Sequence, residues 1–296
     1  MKGFLKGSAT AMITPFTDDG IDLEAFGEMI EYQIAAGTDA LVVLGTTGEP
    51  VTMTEDEKTA LVRYAVQKVA GRAKVIVGAG GNCTAHAVEA AKQAEALGAD
   101  GILSVTPYYN KCTQKGLYEY YAALCAAVEI PVIAYNVPSR TGVNLLPETA
   151  ARIAELDNLT GIKEASGNMA QILETMRLVR GKCDVYSGDD ALNLPILSAG
   201  GRAVISVVGN LAPKGVKALT LAVERRDLNE AIRISDALLP LTKACFTEVN
   251  PIPVKAGMNY LGFRAGTPRE PLTQIEPEHG KQLKDAMLSY GLEVKI

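Results

Sequence analysis

Leu159-Thr-Gly-Ile-Lys163-Glu-Ala-Ser-Gly167 is predicted to form a short buried strand that ends at a lysine and runs into a turn of small residues. Burial of an amine at such a strand end disfavours the ammonium form and lowers the pKa. Only a neutral amine attacks a carbonyl, so burial would make Lys163 a candidate nucleophile. On these nine residues alone, a strand-edge lysine paired with Glu164 or with solvent is the commoner situation. The rest of the chain decides between the two.

Short β-rich segments alternate with longer amphipathic segments on both sides of this strand. Eight βα units with near-continuous apolar strands predict an α/β protein whose strands close into a parallel (β/α)8 TIM barrel. An open doubly wound sheet is the alternative, but the chain has no nucleotide-binding turn to support it. The predicted strands cover residues 8–13, 40–44, 74–77, 101–105, 131–135, 159–163, 184–187 and 203–208.

The pattern changes after the eighth unit. Helical periodicity continues without strands, and prolines at 251, 253 and 277 interrupt it. We therefore predict a catalytic barrel over residues 1–226 and a C-terminal helical domain over residues 227–296. This appendage either braces the barrel or forms an oligomer contact, and the sequence leaves both roles open.

Composition excludes several classes of partner. The net charge of −5 and the pI near 5.3 argue against nucleic acid or an anionic membrane. No run reaches the roughly eighteen apolar residues that would span a bilayer, and the N-terminal residues lack the apolar segment of a secretion signal. Five scattered cysteines without CxxC spacing suit reduced thiols. A cytoplasmic protein is expected.

The residue types that are scarce narrow the chemistry. His86 and His279 are the only histidines, so a histidine-built metal site is not expected. Neither a complete dinucleotide fingerprint nor a Walker A sequence occurs, so no cofactor is expected. Acid–base work must then come from tyrosine, lysine, hydroxyl or carboxylate side chains.

Residues that follow the strands are the candidates for chemistry, because the carboxyl ends of barrel strands carry the active site. Lys163 is the only lysine at such an end. Gly45-Thr46-Thr47-Gly48 follows the second strand and offers two hydroxyls and backbone N–H groups, a cradle for a carboxylate. Threonines bonded to their own backbone in a glycine turn are the alternative.

The fifth strand contributes two further candidates. Tyr135 ends this strand beside the strand of Lys163 and can pass a proton; a buried aromatic with a satisfied hydroxyl is the alternative. Arg140 has the fork geometry to hold a carboxylate at the rim, unless it is a solvated loop arginine. Lysine, tyrosine and a threonine cradle together indicate a Schiff-base enzyme acting on a 2-oxo acid.

Two other pairs follow strand ends. Tyr108 and Tyr109 suggest an interface or a lid, with loop packing as the alternative. Asp189 and Asp190 resemble a pair of metal ligands, but a helix follows, which favours Asp190 as its N-cap.

The chain resembles the dihydrodipicolinate synthase family, within the N-acetylneuraminate lyase superfamily, almost from end to end. The superfamily shares the threonine cradle and the Ile162-Lys-Glu-Ala165 stretch, whereas Pro138-Ser-Arg-Thr-Gly142 is more particular to the synthases. The remaining motifs that carry the resemblance are Thr106-Pro-Tyr-Tyr-Asn110, Ser187-Gly-Asp-Asp190 and Asn250-Pro-Ile-Pro-Val-Lys255.

The resemblance implies a homotetrameric lyase of lysine and diaminopimelate biosynthesis that joins pyruvate to L-aspartate 4-semialdehyde. It implies that Lys163 forms the imine and that Tyr135, Thr46 and Tyr109 relay protons, Tyr109 reaching into a neighbouring subunit's site. By the same resemblance Thr47 holds the pyruvate carboxylate, Arg140 binds the semialdehyde carboxylate, and Gly188 and Ile205 line the pocket through backbone groups.

One departure from the family concerns feedback by lysine. Asn82 and Tyr108 of the family's lysine site are kept, but His86 stands where a glutamate would hold the effector's ammonium, and Glu55 stands in place of a nearby histidine. We predict weak or absent inhibition by lysine.

Three other functions compete. A sister lyase would use the same imine on a sugar acid, for which Arg140 has little use. A barrel isomerase would bind a phosphorylated sugar near Gly188 and Gly209 without covalent chemistry. A non-catalytic binder would hold pyruvate reversibly and leave nothing on Lys163.

Overall fold

The computed structural model describes residues 3–295 of the chain. Eight of its strands form one closed barrel, in the order β1-β10-β9-β8-β7-β6-β5-β4, and β2 and β3 pair as a separate two-stranded sheet. The strands are β1 Gly7–Ala11, β2 Phe16–Thr17, β3 Gly20–Ile21, β4 Ala40–Val43, β5 Lys74–Gly78, β6 Gly101–Val105, β7 Val132–Asn136, β8 Leu159–Glu164, β9 Asp184–Ser187 and β10 Ala203–Ser206.

Helices alternate with the barrel strands and continue beyond the last one. The α-helices are α1 Leu23–Ala35, α2 Glu55–Val69, α3 Thr84–Ala96, α4 Gln114–Ala127, α5 Pro138–Thr141, α6 Pro147–Ile153, α7 Met169–Val179, α8 Asn193–Ser198, α9 Pro213–Glu224, α10 Leu228–Ala244, α11 Ile252–Tyr260 and α12 Pro277–Tyr290. Short 3-10 turns cover Thr46–Gly48, Pro50–Thr52, Asp190–Leu192 and Val208–Asn210.

The closed barrel confirms the predicted fold class, and the open doubly wound alternative is wrong. Each predicted strand is present. The eighth ends at Ser206 rather than at residue 208, because a 3-10 turn over Val208–Asn210 follows at once. Thr54 and Glu57 form a capping box at the start of α2.

Contacts along the chain divide it into two compact parts, described in turn. The first part is built mainly from Val75–Ile205 and the second from Gly7–Lys74 together with the chain from Ser206 onward. The predicted boundary between a barrel over residues 1–226 and a helical domain over residues 227–296 stays a prediction.

The first part contains strands β5 to β9. In the parallel registers Tyr135 pairs with Val105 and with Lys163, and Lys163 pairs with Tyr186. Four consecutive strands therefore align these residues in one row. Gly161, two residues before Lys163, leaves room for the ring of Tyr186, which a Cβ at that position would overlap.

The second part contains β1 and β4, which pair in parallel, and the four C-terminal helices. Within it α10 packs against α9 and α12, and α11 packs against α12. Among the described residues, no helix is both long and apolar enough to cross a bilayer.

A repeated helix-to-strand connection occurs once in each part. Gly37 and Gly98 follow helix ends with φ of +79° and +87°, a conformation that glycine adopts without steric cost. In each case an aspartate two residues later accepts a backbone N–H of another strand segment: Asp39 from Ser8 and Asp100 from Val75. The stretches Gly37-Thr-Asp39 and Gly98-Ala-Asp100 therefore form the same connection for the same physical reason.

Candidate active site

Lys163 is buried near the carboxyl end of β8, with 5% of its surface exposed. Its Nζ lies 4.2 Å from the centroid of the Tyr135 ring on the adjacent strand β7. The aromatic face attracts a cation and also shields the amine from water. The register pairing of these two residues across β7 and β8 fixes this arrangement in the backbone.

Burial lowers the pKa of Lys163 to about 8. The negative charge of Asp190 acts in the opposite direction, and the positive charge of Arg140 lowers the pKa further. At pH 7 a pKa of about 8 leaves roughly one amine in ten neutral, against fewer than about one in a thousand at the ordinary value. Lys163 is therefore a lysine with nucleophilic character near neutral pH.

Glu164, a possible partner of Lys163 on sequence grounds, is a buried acid. Its Oε1 accepts from Asn136 Nδ2 at 2.8 Å, and its Oε2 accepts from Ser166 Oγ at 3.3 Å. Burial raises the pKa of Glu164 to about 7, although the hydrogen bond from Asn136 opposes the shift. Lys163 therefore does not pair with Glu164; the two side chains alternate along β8 and lie in different surroundings.

Asn136 extends this network. Its Oδ1 accepts the backbone N–H of Leu145 at 2.9 Å, and its Nδ2 also donates to Asn144 Oδ1 at 3.0 Å. Gln171 on α7 in turn exchanges two hydrogen bonds with Asn144. The end of β8 is thus tied to the segment after α5 and to α7 through side-chain amides, which no local sequence pattern revealed.

Gly188 follows β9 directly beside Lys163. Its backbone N–H donates to the carbonyl of Glu164 at 2.7 Å. The N–H of Gly188 is therefore already engaged with β8. Ile205, the other residue with an implied backbone role, is buried on β10.

Two loops near Tyr135 are tied together through Thr141. The N–H of Thr106 donates to the carbonyl of Tyr135 at 3.0 Å, and the hydroxyl of Thr106 donates to Thr141 Oγ1 at 3.3 Å. The N–H of Tyr109 donates to the carbonyl of Thr141 at 3.4 Å. Arg140 is exposed and lies next to Thr141 on the one-turn helix α5. The hydrogen bonds of Thr141 therefore also position the backbone of Arg140.

Tyr109 is an exposed aromatic in an unusual backbone conformation. Its side chain is 87% exposed, and its φ is +73°. Non-glycine residues adopt this region rarely and at an energetic cost. Tyr108 is half-buried, so of the two adjacent tyrosines only Tyr109 is largely exposed.

The predicted cradle lies in the second part of the chain. Thr46, Thr47 and Gly48 form a 3-10 turn after β4. The N–H of Gly48 donates to the carbonyl of Gly45 at 2.8 Å, and the N–H of Glu49 donates to the carbonyl of Thr46 at 3.2 Å. The N–H groups of Thr46 and Thr47 take no part in these two hydrogen bonds, because the first N–H groups of a helical turn have no partner within it. Of the backbone donors expected in residues 45–48, that of Gly48 is therefore used within the turn, and those of Thr46 and Thr47 remain for an anion.

Asp189 and Asp190 do not behave as the sequence suggested. Asp189, and not Asp190, is the N-cap, since its Oδ1 accepts from the N–H of Ala191 at 3.0 Å. Asp190 Oδ1 instead accepts from Asn193 Nδ2 at 2.9 Å. Within residues 3–295 no cluster of three acidic, histidine or cysteine side chains is arranged to hold a metal ion.

Comparison with known proteins gives a consistent result. The model of the dihydrodipicolinate synthetase family matches residues 4–289. The 4-hydroxy-tetrahydrodipicolinate synthase of Caldicellulosiruptor bescii is 48% identical over 291 residues, 98% of each chain. The protein of the same name from Alkaliphilus oremlandii is 49% identical over 282 residues, 95% of this chain and 97% of that one.

Solved structures agree with these relatives. The crystal structure of dihydrodipicolinate synthase from Aquifex aeolicus has a TM-score of 0.96 and 43% identity, covering 99% of this chain and 100% of that chain. That of the Thermotoga maritima dihydrodipicolinate synthase has a TM-score of 0.96 and 45% identity, covering 98% and 99%.

Proposed function

The chain belongs to the dihydrodipicolinate synthetase family, and we propose that it is the lyase that condenses pyruvate with L-aspartate 4-semialdehyde on the route to diaminopimelate and lysine. The observation that carries the chemistry is the buried Lys163 with a pKa of about 8 against the ring of Tyr135. The identity of the substrates is supported by the names of relatives that match nearly the whole chain.

The proposed reaction begins at Lys163 Nζ. The neutral amine attacks the ketone of pyruvate, and loss of water gives an imine. The protonated imine withdraws electrons, so the adjacent methyl group loses a proton. The imine thereby becomes an enamine. The enamine carbon attacks the aldehyde of the semialdehyde. The amino group of that substrate then closes the ring on the imine carbon and releases the lysine, giving 4-hydroxy-tetrahydrodipicolinate.

Proton transfer is assigned to Tyr135, Thr46 and Tyr109. Tyr135 is supported by the 4.2 Å between its ring centroid and Lys163 Nζ, which places the residue next to the atom where the carbinolamine gains and loses protons. Thr46 is supported by its place at the head of the 3-10 turn and by the family resemblance. Tyr109 is supported by its 87% exposure, since a ring that reaches a neighbouring subunit must leave its own.

Substrate binding is assigned to four further residues. Thr47 and the N–H groups of the turn hold the pyruvate carboxylate, and Arg140 holds the carboxylate of the semialdehyde. Gly188 and Ile205 line the pocket with backbone groups. Arg140 distinguishes this function from that of a sister lyase for sugar acids, which has no second carboxylate at that place.

The assembly is proposed to be a homotetramer, a dimer of dimers, in which Tyr109 crosses between subunits. The exposed ring in a strained conformation supports an interface at this loop, because strain persists where surroundings fix it. A cytoplasmic location also stays a prediction of the sequence.

A barrel isomerase that binds a phosphorylated sugar is the weaker candidate. Its phosphate nest would use the backbone N–H groups of Gly188 and Gly209. Both are engaged: Gly188 N–H donates to Glu164 O at 2.7 Å, and Gly209 N–H donates to Ser206 Oγ at 2.8 Å.

Borohydride reduction in the presence of pyruvate tests the chemistry, and a coupled assay with the semialdehyde tests the acceptor. We expect a mass increase on the peptide that contains Lys163 and consumption of both substrates. Lys163→Ala should remove both signals. A label on another lysine, or turnover by the variant at the parent's rate, would reject the proposal.

A further inference from the structure

The motif Asn250-Pro-Ile-Pro-Val-Lys255 contacts the loop of residues 45–49, called here the threonine loop. Asn250 Nδ2 donates to Thr47 Oγ1 at 3.0 Å, and Lys255 Nζ donates to Glu49 Oε1 at 2.7 Å. Both contacts are buried. One short segment at the start of α11 therefore holds two residues of the threonine loop, although more than 200 residues separate the partners.

The contact with Asn250 determines what the Thr47 hydroxyl can do. A threonine hydroxyl has one hydrogen to donate and two lone pairs to accept with. Because the amide of Asn250 is the donor, Thr47 Oγ1 acts as the acceptor in this contact. Its own hydrogen is then directed elsewhere and can be donated to a carboxylate. Thr47 Oγ1 therefore has a side-chain partner from a distant segment, which the alternative of threonines bonded to their own backbone does not provide.

The contact with Lys255 holds the residue that closes the loop. Glu49 has φ +57° and ψ +40°, a left-handed conformation that a non-glycine residue keeps only when its surroundings fix it. Its carboxylate is held by Lys255 Nζ and by the N–H of Arg269 at 2.9 Å. The N–H of Glu49 closes the 3-10 turn on Thr46, so the conformation of Glu49 sets that of the turn.

Aromatic and ionic neighbours make this anchor rigid. The ring of Phe16 has Lys255 Nζ at 4.1 Å and the guanidinium of Arg269 at 4.1 Å from its centroid. Arg269 in turn binds Glu57 on α2 at 2.8 Å. The side chains of Lys255 and Glu49 are 0% and 2% exposed, so neither partner has water as a substitute.

We propose that Asn250 and Lys255 are positioning residues for the carboxylate of the 2-oxo acid, acting through Thr47 and Glu49. The helical segment after the barrel then has a role in substrate binding, beyond bracing the fold. This inference rests on the proposed function in one respect, that the carboxylate of pyruvate binds the threonine loop.

Trapping of the pyruvate imine without the second substrate tests Asn250. The full-length protein is titrated with pyruvate and reduced with borohydride, and the half-saturating concentration is read from the labelled fraction. Asn250→Ala should raise this concentration about tenfold, which corresponds to about 1.4 kcal/mol. Asn250→Asp, which keeps the size but exchanges the donor for an acceptor, should raise it further because the Thr47 hydrogen turns toward the new carboxylate.

Asn259→Ala is the matched control. Asn259 lies on α11, shortly after Asn250 in the chain, and donates from Nδ2 at 2.8 Å, but its acceptor is Gly266 O and not a residue of the threonine loop. It should lower Tm about as much as Asn250→Ala and leave half-saturation unchanged. Equal half-saturation shifts in the two alanine variants, or no shift in Asn250→Ala, would overturn the assignment of Asn250.

Lys255 is tested with Glu49→Gln/Lys255→Met, since the double change leaves no unpaired buried charge and should fold. We expect half-saturation to rise about threefold to tenfold, the scale of one ordinary hydrogen bond, because the pair acts on the substrate only through the loop. A parental value in the folded double variant would overturn the role of Lys255.

The outcome can be separated from failure of the proposed function. If the parent traps pyruvate but consumes no semialdehyde, the proposed second substrate is wrong and the comparison of variants stands. If the parent traps nothing, the proposed chemistry is wrong. Calorimetric pyruvate affinities of the same variants then decide the positioning roles, and equal affinities would reject them.

Discussion

The backbone of Gly188 lies directly against the side chain of Lys163. A Cβ at Gly188 would lie 2.8 Å from Lys163 Cε and 2.9 Å from its Cγ, closer than van der Waals contact permits. The missing side chain is therefore what gives the reactive lysine its space at the end of β8. The family resemblance implied only a backbone role for this glycine, and the steric relationship adds a second.

Gly188→Ala should therefore impair catalysis more than folding. The methyl group displaces Lys163 from its place over the Tyr135 ring, and we expect kcat to fall at least about a hundredfold, since small misplacements of reacting groups have effects of that order. Steady-state kinetics and Tm are the measurements. Gly81→Ala is the control, because a Cβ there meets nothing within 4 Å. Equal kinetics for both variants would contradict this reasoning.

The pH profile of imine formation should report the pKa of Lys163. Because the neutral amine reacts, the trapping rate with pyruvate should rise with pH through about 8. Asp190→Asn removes a charge that stabilises the ammonium, so it should move the profile to lower pH. Arg140→Met should move it to higher pH. Glu174→Gln, on the exposed face of α7, should leave the pH profile unchanged. If Asp190→Asn and Arg140→Met moved the profile in the same direction, the opposite effects expected of these two charges would be contradicted.

Glu164→Gln should change how stability depends on pH. The folded-state pKa of about 7 exceeds the ordinary 4.5, so the folded chain binds this proton more tightly than the unfolded chain. Stability contributed by the neutral acid is present below about pH 4.5 and is lost as pH rises through 7. The glutamine carries no charge; its carbonyl oxygen can still accept from Asn136 Nδ2, and its NH2 can donate to Ser166 Oγ in place of accepting from it. Relative to the parent, the variant should gain about 2–3 kcal/mol between pH 5 and 8.

Free energies of unfolding from urea titrations at the two pH values measure this gain. Glu174→Gln again serves as the control, since Glu174 is a solvent-exposed partner of Arg177 on α7. A difference between Glu164→Gln and the parent that does not vary with pH would show that Glu164 has an ordinary pKa.

Lys255→Met should destabilise the protein strongly. It leaves the Glu49 carboxylate buried without its partner, for which about 3–5 kcal/mol is typical. Lys281→Met is the matched control, because Lys281 pairs with Asp285 at the same 2.7 Å but on the surface, where a pair contributes about 0–1 kcal/mol. Urea unfolding of both variants compares them, and similar losses would mean that the buried pair is not special.

Inhibition by lysine should be weak or absent. His86 is exposed on α3, and the nearby loop places the carbonyl of Asn82 as an acceptor for Asn110 at 2.8 Å. In the second part of the chain Glu55 forms an ion pair with Lys58. A histidine offers no carboxylate to an effector ammonium. Initial rates with lysine up to millimolar concentrations test this, and half-inhibition at sub-millimolar lysine would refute it.

The structure differs from the sequence predictions mainly in its short elements. The one-turn helix α5 had a local signal that went unused, a proline at its first position and Gly142 as its stop. The β2–β3 pair has two residues in each strand, too few to show an alternation of apolar and polar side chains. The choice between Asp189 and Asp190 as cap depends on backbone angles that adjacent identical residues do not distinguish.

The sequence by itself determined the eight βα units, the closed barrel and the position of Lys163 at a strand end, because these depend on periodicity and on local stops. Only the tertiary structure decided that Glu164 is buried, that Gly188 makes space for the lysine, and that Asn250 and Lys255 hold the threonine loop. The physical reason is distance along the chain: Lys255 and Glu49 are 206 residues apart, and contacts of that range exist only after the chain has folded.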